Sequence, residues 1–519
     1  MTTTMAKRAA GRRRAAVVRA ALAALLAAPA ARAEWKFTPT VDLRETVTDN
    51  VALTRADQAK SRFVTELTPG FTLQDKGPRL NLSANYQLHY YAFDDNDVEG
   101  VRHAQSQLRA AAKATVIDEL LFLDADGAVG QQAVSAFGPQ VNSNGYASAN
   151  RSNVKTWRIS PYMLHRFGAS ATAAVRYTHD SVDAGRIGFG DSTSDVLMMN
   201  LNSGRTFRRV GWGLQYSQQR VDDSIAPKSN VKMASANARY RLGEDFNLTA
   251  SAGYDEYDYQ SDGEPTKGRF WQGGIEWTPS SRTSLVAGAG KRYYGNTYNL
   301  QALHRSRRTV WSINYSDSVT TTRSQLLLPA TIDTASMLDR LFTAQIPDPA
   351  ARAQAVDAYI RATGLPSALA DSINYFSNRY ILQKQFQASV AMNTARTTLI
   401  LNAFDSRRQG LSLIQTDSLL TGPASARIND DTTQRGGSAL WNMRLTSRSG
   451  INASWTTSRT QSHATGLSSK NAALRLAVTR QFSPKVRGAF EARRVSGTTT
   501  DQVASYRENA LSASLSLQF

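Results

Sequence analysis

The sequence predicts an all-β fold, a transmembrane antiparallel β-barrel of about 22 strands, within a range of roughly 20–24, with a helical insertion. Three observations predict it. Many segments alternate apolar and polar residues, short connections alternate with long ones, and the chain ends in an alternating segment that closes on an aromatic residue. Alternation is the period of a strand, because successive side chains point to opposite faces.

The last ten residues show the alternation most clearly. The apolar set is Leu511, Ala513, Leu515, Leu517 and Phe519, and the residues between them are Ser512, Ser514, Ser516 and Gln518. An edge strand of a soluble sheet has the same pattern, so the rest of the chain must decide. We predict a closing strand in which Leu515 and Leu517 face lipid. With Phe519, they form the signal that the barrel assembly machinery recognises.

Alternating segments recur from Trp35 to the carboxy terminus, and their number and length favour a barrel over a sandwich. Examples lie at 80–91, 246–254, 271–277, 380–390 and 441–445. Chain ends on the same side of a membrane require an even strand count. The region 283–323 therefore divides into strands 283–294, 297–305 and 309–323, with a turn at Gly295-Asn296, and the total becomes about 22.

The connections also alternate in length, as they do in barrels with short periplasmic turns and longer external loops. The predicted turns lie near 75–78, 117–118, 166–168, 243–244, 278–281, 393–395, 447–449 and 482–484. The predicted loops lie near 48–61, 132–151, 180–192, 220–228, 260–266, 408–431 and 462–467.

Residues 1–33 have the order of a secretory signal peptide: basic residues, a short apolar stretch and Ala31-Arg32-Ala33. The alternative is a basic helix that binds nucleic acid or a membrane surface. The segment holds seven basic and no acidic residues, so its removal lowers the formal net charge from +19 to +12. The remaining chain, 34–519, is the predicted barrel. Its positive charge favours anionic partners, such as lipopolysaccharide or acidic polysaccharide. Basic patches with interleaved aromatics would also suit nucleic acid, but strand alternation explains those aromatics better.

Residues 324–376 break the alternation and carry helical signals. Asp348-Pro349 is typical of a helix start, and Gly364 with Pro366 is typical of a stop. Lipid would reject the intervening Arg340 and Arg352, so we expect the segment to lie in the lumen or its outer mouth and to gate it. The apolar residues predicted to pack there are Leu338, Leu341, Phe342, Val356, Tyr359 and Ile360.

Charged residues on the polar faces are candidates for the lumen lining. They are Arg239, Arg241, Glu276, Arg444, Arg475, Arg487, Glu491 and Arg493. One interpretation is ordinary filling of the lumen by paired charges. The other is a basic lining that draws anionic solutes or sugar chains inward.

No motif in the sequence predicts an enzyme or a cofactor, and a Ser-His site assembled from distant strands stays the alternative that no spacing singles out. The six histidines form no H-x-x-x-H pair, and neither a Walker loop nor G-x-S-x-G occurs. Asp94 to Gly100 begins like a calcium loop, but Ser106 stands where an EF-hand needs a bidentate Glu. A solvated loop, or a weak surface cation site, remains. There are no cysteines.

Several short motifs resemble a known family. They are Trp35 with Pro39, Thr48-Asp49-Asn50-Val51, Thr320-Thr321-Thr322-Arg323, and Pro347-Asp348-Pro349 with Arg352. With the strand pattern, the chain resembles the uncharacterised outer-membrane proteins associated with PEP-CTERM/exosortase systems. The resemblance implies the cell outer membrane and a setting of exopolysaccharide export, with export-system proteins as partners. It implies no functional residues.

Two functions follow as expectations. The first is a channel in the outer membrane, associated with exopolysaccharide export or surface-polymer assembly and gated by 324–376. The second is a structural barrel that docks surface polysaccharide or partner proteins without transport. A TonB-dependent receptor would need an amino-terminal plug of roughly a hundred residues, whereas strands are predicted here from about the end of the signal.

Overall fold

The computed structural model describes residues 35–519 with several gaps. The gaps are 96–98, 141–144, 148–149, 186–187, 262–264, 328–337, 340–351, 353–355, 357–374, 414–416, 418–419, 421–425 and 500–503. The predicted signal peptide, 1–33, therefore lies outside the described residues. So do Leu341, Phe342, Tyr359 and Ile360 of the predicted gate.

Twenty-two strands form one sheet. They are β1 Lys36–Thr48, β2 Arg62–Lys76, β3 Leu80–Phe93, β4 Ala104–Ile117, β5 Leu121–Ala133, β6 Arg151–Phe167, β7 Ala171–Asp183, β8 Ser192–Ser203, β9 Val210–Asp223, β10 Ser229–Arg241, β11 Phe246–Tyr257, β12 Lys267–Ser280, β13 Thr283–Arg292, β14 Gly295–Arg305, β15 Thr309–Thr321, β16 Tyr380–Asn393, β17 Thr397–Gly410, β18 Asp431–Arg444, β19 Ser449–Ser462, β20 Ser468–Ser483, β21 Val486–Thr499 and β22 Ala504–Gln518. A short helix, α1, spans Thr322–Leu327, and a 3₁₀ turn spans Ala426–Asn429.

The sheet closes on itself. Each strand pairs antiparallel with the next, and β1 pairs with β22 from Thr40↔Gln518 to Thr48↔Ala510. The amide of Phe519 adds a hydrogen bond to the carbonyl of Pro39, at 3.0 Å. Closure gives both terminal strands a partner, so the sheet has no unpaired edge. The predicted fold class and strand count are confirmed.

One predicted turn is misplaced. β13 ends at Arg292 and β14 begins at Gly295, so the hairpin turns at Tyr293-Tyr294 rather than at Gly295-Asn296. The two turn aromatics pack edge to face at 5.2 Å, and Tyr293 also contacts Tyr257 of β11, two strands from β13, at 5.5 Å. The packing of these half-buried rings outweighs the local turn preference of Gly-Asn.

The two ends of the barrel differ in their connections. At one end the turns hold two to six residues, whereas the other end carries the long loops and the segment between β15 and β16. Outer-membrane barrels keep short turns in the periplasm, so we name the ends periplasmic and extracellular accordingly. Among the described residues, no helix is long and apolar enough to cross a membrane.

Large apolar side chains share the outward face of the strands. Exposed examples are Trp271, Trp277, Trp311, Trp455, Leu474, Leu476, Phe490 and Leu511. Along β20 the outward residues from Ala472 to Phe482 are all apolar except Arg480. Ten residues at about 3.3 Å each, tilted by about 40°, span about 25 Å, the height of an outer-membrane apolar band.

Candidate functional site: the extracellular mouth and the polar lumen

At the extracellular mouth of the barrel, described side chains pack into three buried apolar clusters. One buried cluster joins Val51, Ala52 and Leu53 of the first loop to Tyr91, Tyr146 and Tyr506. A second joins Val134, Val154 and Val182 to Phe189, Phe376 and Leu420. A third joins Ala136 and Phe137 to Tyr375. Each cluster includes residues from different loops or strands, so the loops fold over the opening.

The segment between β15 and β16 crosses this mouth at its first end. α1 follows β15 directly, and Arg323 within it reaches the other side of the barrel. Its Nε donates to Ser192 Oγ on β8 at 2.8 Å, and its Nη2 pairs with the Asp180 carboxylate on β7. Both members of the ion pair are buried. Because β7 and β15 lie far apart around the wall, this contact bridges the opening.

The returning end, 375–379, docks beside α1. Thr322 Oγ1 donates to the carbonyl of Tyr375 at 3.1 Å and accepts from the amide of Ser377 at 3.2 Å. The amide of Phe376 bonds the carbonyl of Val134 at 3.2 Å, and its ring lies 4.7 Å from that of Phe189. The two ends of the insertion therefore hold each other and the loops around them.

Tyr375 anchors the returning end to the barrel wall. Its hydroxyl shares a 2.8 Å hydrogen bond with Thr432 Oγ1 on β18. The guanidinium of Arg408 on β17 lies 4.1 Å from its ring centroid and bonds Gln325 of α1 at 3.2 Å. Arg408 is therefore a buried link between both insertion ends and the wall.

Asp417, from the loop between β17 and β18, receives the next two residues. It accepts hydrogen bonds from Ser377 Oγ at 2.8 Å and from the amide of Asn378 at 2.7 Å. Burial raises the pKa of the Asp417 carboxyl above its ordinary range, since it disfavours the ionised form. We therefore expect this contact to weaken when Asp417 ionises.

The predicted gating residues that are described lie buried. Leu338 and Val356 occupy helical positions and are both fully buried, and Arg352 pairs with Asp339 at 2.8 Å. This ion pair accounts for one of the arginines that argued against a lipid location.

A buried charge cluster lies at the extracellular end of β1, β21 and β22. Glu508 on β22 accepts from Thr48 Oγ1 at 2.8 Å and pairs with Arg493 on β21 at 2.9 Å. Arg493 also donates to the hydroxyl of Tyr146 at 3.1 Å, and burial raises the pKa of that phenol. Arg493 was predicted as a lining residue. The structure uses it to fasten the loop between β5 and β6.

Most of the other predicted lining residues bond neighbouring residues of the barrel wall or of the periplasmic turns. Arg475 pairs with Glu491 at 2.6 Å, and Glu276 accepts from Asn247 at 3.1 Å. Arg241 and Arg444 bond carbonyls of the periplasmic turns, Gly243 at 3.1 Å and Ala395 at 2.7 Å respectively. Arg487 also has a partner, whereas Arg239 is exposed on the inner face.

Sequence reasoning missed other charges on the inner face. Arg109 and Lys113 on β4 are exposed there, in line with exposed Asn81, Ser83 and Asn85 on β3. Asp124 pairs with Arg176 at 2.9 Å, and Asp126 with Arg158 at 2.8 Å. The alternation already placed these residues on polar faces, and only the strand register showed which charges meet.

Neutral amides line the inner wall of the barrel from β8 to β14. A recess of about 480 Å³ on the inner wall is bordered by Asn202, Asn237, Ser251, Gln272 and Asn299, together with Arg239. Glycines lie between the amides: a Cβ on Gly288 would stand 2.3 Å from Asn299 Oδ1, and one on Gly213 would stand 2.7 Å from Asn202 and Asn237. These glycines leave room for amide side chains to lie across the strands.

The acidic loop at Asp94 faces a guanidinium. Arg62 approaches Asp94 at 3.7 Å and Asp95 at 2.8 Å. Within the part of the chain that the structure describes, no group of three or more acidic or histidine side chains is arranged to hold a metal ion.

A closed sheet of 22 antiparallel strands, apolar outside and polar inside, defines an outer-membrane β-barrel. No protein-family model matches the chain, and no curated protein matches it in sequence. The predicted relationship to the PEP-CTERM/exosortase-associated proteins therefore stays a prediction.

Solved structures of similar fold are distant. The siderophore receptor PirA from Acinetobacter baumannii is 9% identical over 93% of this chain and 80% of its own, with a TM-score of 0.47. The FrpB iron transporter from Neisseria meningitidis is 9% identical over 93% and 81%, with a TM-score of 0.49. A mutant form of the ferric enterobactin receptor PfeA from Pseudomonas aeruginosa is 9% identical over 93% of this chain and 80% of its own, with a TM-score of 0.46. Matches at this level assign neither a family nor a substrate.

Proposed function

We propose that the protein is an outer-membrane channel for polar solutes whose extracellular mouth is closed by the insertion 324–376. The observation that carries the proposal is the bridge from α1 to the far wall, where Arg323 meets Asp180 and Ser192. A barrel of about 22 strands encloses a wide lumen, which needs an obstruction to remain selective. In this proposal the insertion supplies that obstruction at the extracellular end.

The closing contacts suit a movable obstruction. A buried ion pair contributes little net stability, because desolvation of both charges offsets their attraction. The bridge at Arg323 can therefore open at modest cost when a ligand or partner binds the open state better. In the absence of such a ligand or partner, the apolar cluster around Phe376 keeps the closed state favoured.

The lining favours solutes rich in hydroxyl groups. Amides of Asn202, Asn237 and Asn299 offer donors and acceptors without net charge, and Arg109, Lys113 and Arg239 add positive charge. Such a surface suits saccharides, including acidic ones, and is consistent with a role in exopolysaccharide export or surface-polymer assembly. In this proposal Leu515, Leu517 and Phe519 direct assembly of the barrel.

A docking barrel without transport is the second candidate. The three apolar clusters in the mouth support it, because they pack loops together into a surface on which polysaccharide or a partner protein would bind. The two functions differ in whether solutes cross the lumen.

Single-channel recording in planar bilayers separates them. Replacement of residues 326–374 by a short Gly/Ser linker is expected to leave the barrel assembled, raise its conductance and sensitise cells to bulky antibiotics. Equal conductance and permeability with and without the segment would contradict gating and favour the docking barrel.

A charge exchange tests the bridge itself. Arg323→Glu places two carboxylates together and is expected to open the channel. Adding Asp180→Arg restores an ion pair of reversed sense and is expected to close it again. A loss of closure that the exchange does not restore would mean that the pair is not the latch.

A further inference from the structure

A row of basic side chains lies on the outside of the barrel, at its extracellular end. It consists of Arg435 on β18, Arg459 on β19 and Lys470 on β20, and all three are exposed. Arg459 shares its face with the exposed Trp455, and Lys470 shares its face with the exposed Leu474. The row therefore stands directly beyond the lipid-facing apolar band.

The register places like charges side by side. Arg459 lies directly opposite Arg435 in one pairing and directly opposite Lys470 in the other. Directly opposed residues on one face of a sheet have Cβ atoms about 5 Å apart, and like charges there repel. Arg435 has an acidic partner, Asp405, at 2.6 Å, whereas neither Arg459 nor Lys470 has one among the described residues. An external anion would relieve this repulsion.

Further basic residues extend the row. Arg494 on β21 and Arg507 on β22 are also exposed on the outward face. The register sets Arg494 opposite Leu474 and Asn509, and Arg507 opposite Ser496. We name these five residues, Arg435, Arg459, Lys470, Arg494 and Arg507, the outer basic patch.

We infer that the outer basic patch binds the phosphate groups of lipopolysaccharide in the outer leaflet, through Arg459 and Lys470. A phosphate at this height meets the fork of an arginine and the point charge of a lysine together, which gives strong charge-assisted hydrogen bonds. Phospholipid headgroups carry the same chemistry, but the extracellular leaflet of this membrane is the one that presents phosphorylated glycolipid. The inference does not depend on transport through the lumen.

The same strand provides a matched control. Arg480 is exposed on the outward face of β20, ten residues away at the periplasmic end. Its directly opposed neighbours are Ser449 and Gly488, so no like charge faces it, and it lies over the ring of Phe482. Arg480→Gln removes one charge from the lipid-facing surface without touching the patch.

The first test measures the lipopolysaccharide that stays bound to the purified barrel, per protein. Arg459→Gln with Lys470→Gln is expected to lower it on the order of tenfold, because each lost charged hydrogen bond weakens binding substantially. Arg480→Gln is expected to leave it unchanged. Equal retention in all three proteins would overturn the inference.

Lys470→Glu distinguishes ligand binding from a structural role. In detergent free of lipopolysaccharide, this variant replaces a repulsive neighbour of Arg459 by an attractive one, so it is expected to unfold at the same or a higher temperature. Added lipopolysaccharide is expected to raise the unfolding temperature of the native protein and not of the variant. A variant that is less stable without lipid, yet equally stabilised by it, would overturn the inference.

The nature of the lipid is tested with vesicles and micelles of defined composition. Dephosphorylated lipopolysaccharide is expected to give no stabilisation, which assigns the contact to phosphate. Phosphatidylglycerol at the same concentration is expected to give much less than lipopolysaccharide. Equal stabilisation by phosphatidylglycerol would overturn the assignment to the glycolipid.

Discussion

The extracellular mouth and the periplasmic half of the lumen are held together differently. Along β3 the inward face changes from exposed Asn81 and Asn85 near the periplasm to buried Tyr91 near the mouth. In the lower half, cross-strand hydrogen bonds hold a single layer of chain. In the mouth, loops from opposite sides pack into apolar clusters and buried ion pairs. Substitutions of inward residues should therefore affect stability in the mouth and selectivity below it.

The largest effect on stability is expected at Glu508. Glu508→Ala removes the acceptor of Thr48 and the partner of Arg493 from a fully buried position. Breaking a buried ion pair in this way costs about 3–5 kcal/mol. Denaturant unfolding in detergent measures the loss.

Asn85→Ala on the exposed inner face of β3 is the matched control, with an expected change within about 0.5 kcal/mol. Similar losses for Glu508→Ala and Asn85→Ala would remove the distinction between the two regions.

The next effect concerns the outer face of β22. Ala513 lies midway between the outward Arg507 and the terminal Phe519, whereas Leu515 lies closer to the periplasmic end. Ala513→Arg is therefore expected to cost about 2–4 kcal/mol, the penalty for a cation at the bilayer midplane, and Leu515→Arg less. Folding into vesicles against urea gives both values. The reverse order would contradict the placement of the band.

A pH dependence is expected from Asp417. Its folded-state pKa is raised by burial, so ionisation is less favourable in the docked mouth than in the open chain. The docked state is therefore most stable below the ordinary pKa of 3.8 and weakens as the pH rises from there through the raised value. Channel-opening frequency against pH checks this trend. Asp417→Asn should flatten it, and an unchanged profile in that variant would assign the trend to another group.

The smallest effect on stability is expected in the lower lumen. Arg109→Gln with Lys113→Gln removes two exposed inward charges and should change the free energy of unfolding by no more than about 0.5 kcal/mol. Reversal potentials in a salt gradient should nevertheless shift towards cation selectivity. A large loss of stability with unchanged selectivity would show that these residues support the wall instead of lining a path.

Much of the barrel could be predicted from the sequence because strands and turns are marked by patterns of residues close together in the chain. Alternation at 80–91 and at 510–519 marks which side chains meet lipid, and turn residues mark where strands reverse. Closure then follows, since an unpaired edge is not tolerated in a membrane. The error at Gly295 arose where rings of Tyr293 and Tyr257, distant in sequence, decided the turn.

The contacts that close the mouth could not be predicted from the sequence, because they depend on tertiary structure. Alternation placed Arg323 at the start of an irregular segment, but its partner Asp180 lies 143 residues earlier in the chain. Arg493 alternates like any lining residue, yet Tyr146 and Glu508 make it part of the closure. The sequence by itself determined the strands, their faces and the exceptional segment. The tertiary structure decided which charges pair and which loops fill the opening, because those contacts join groups that only the closed barrel brings together.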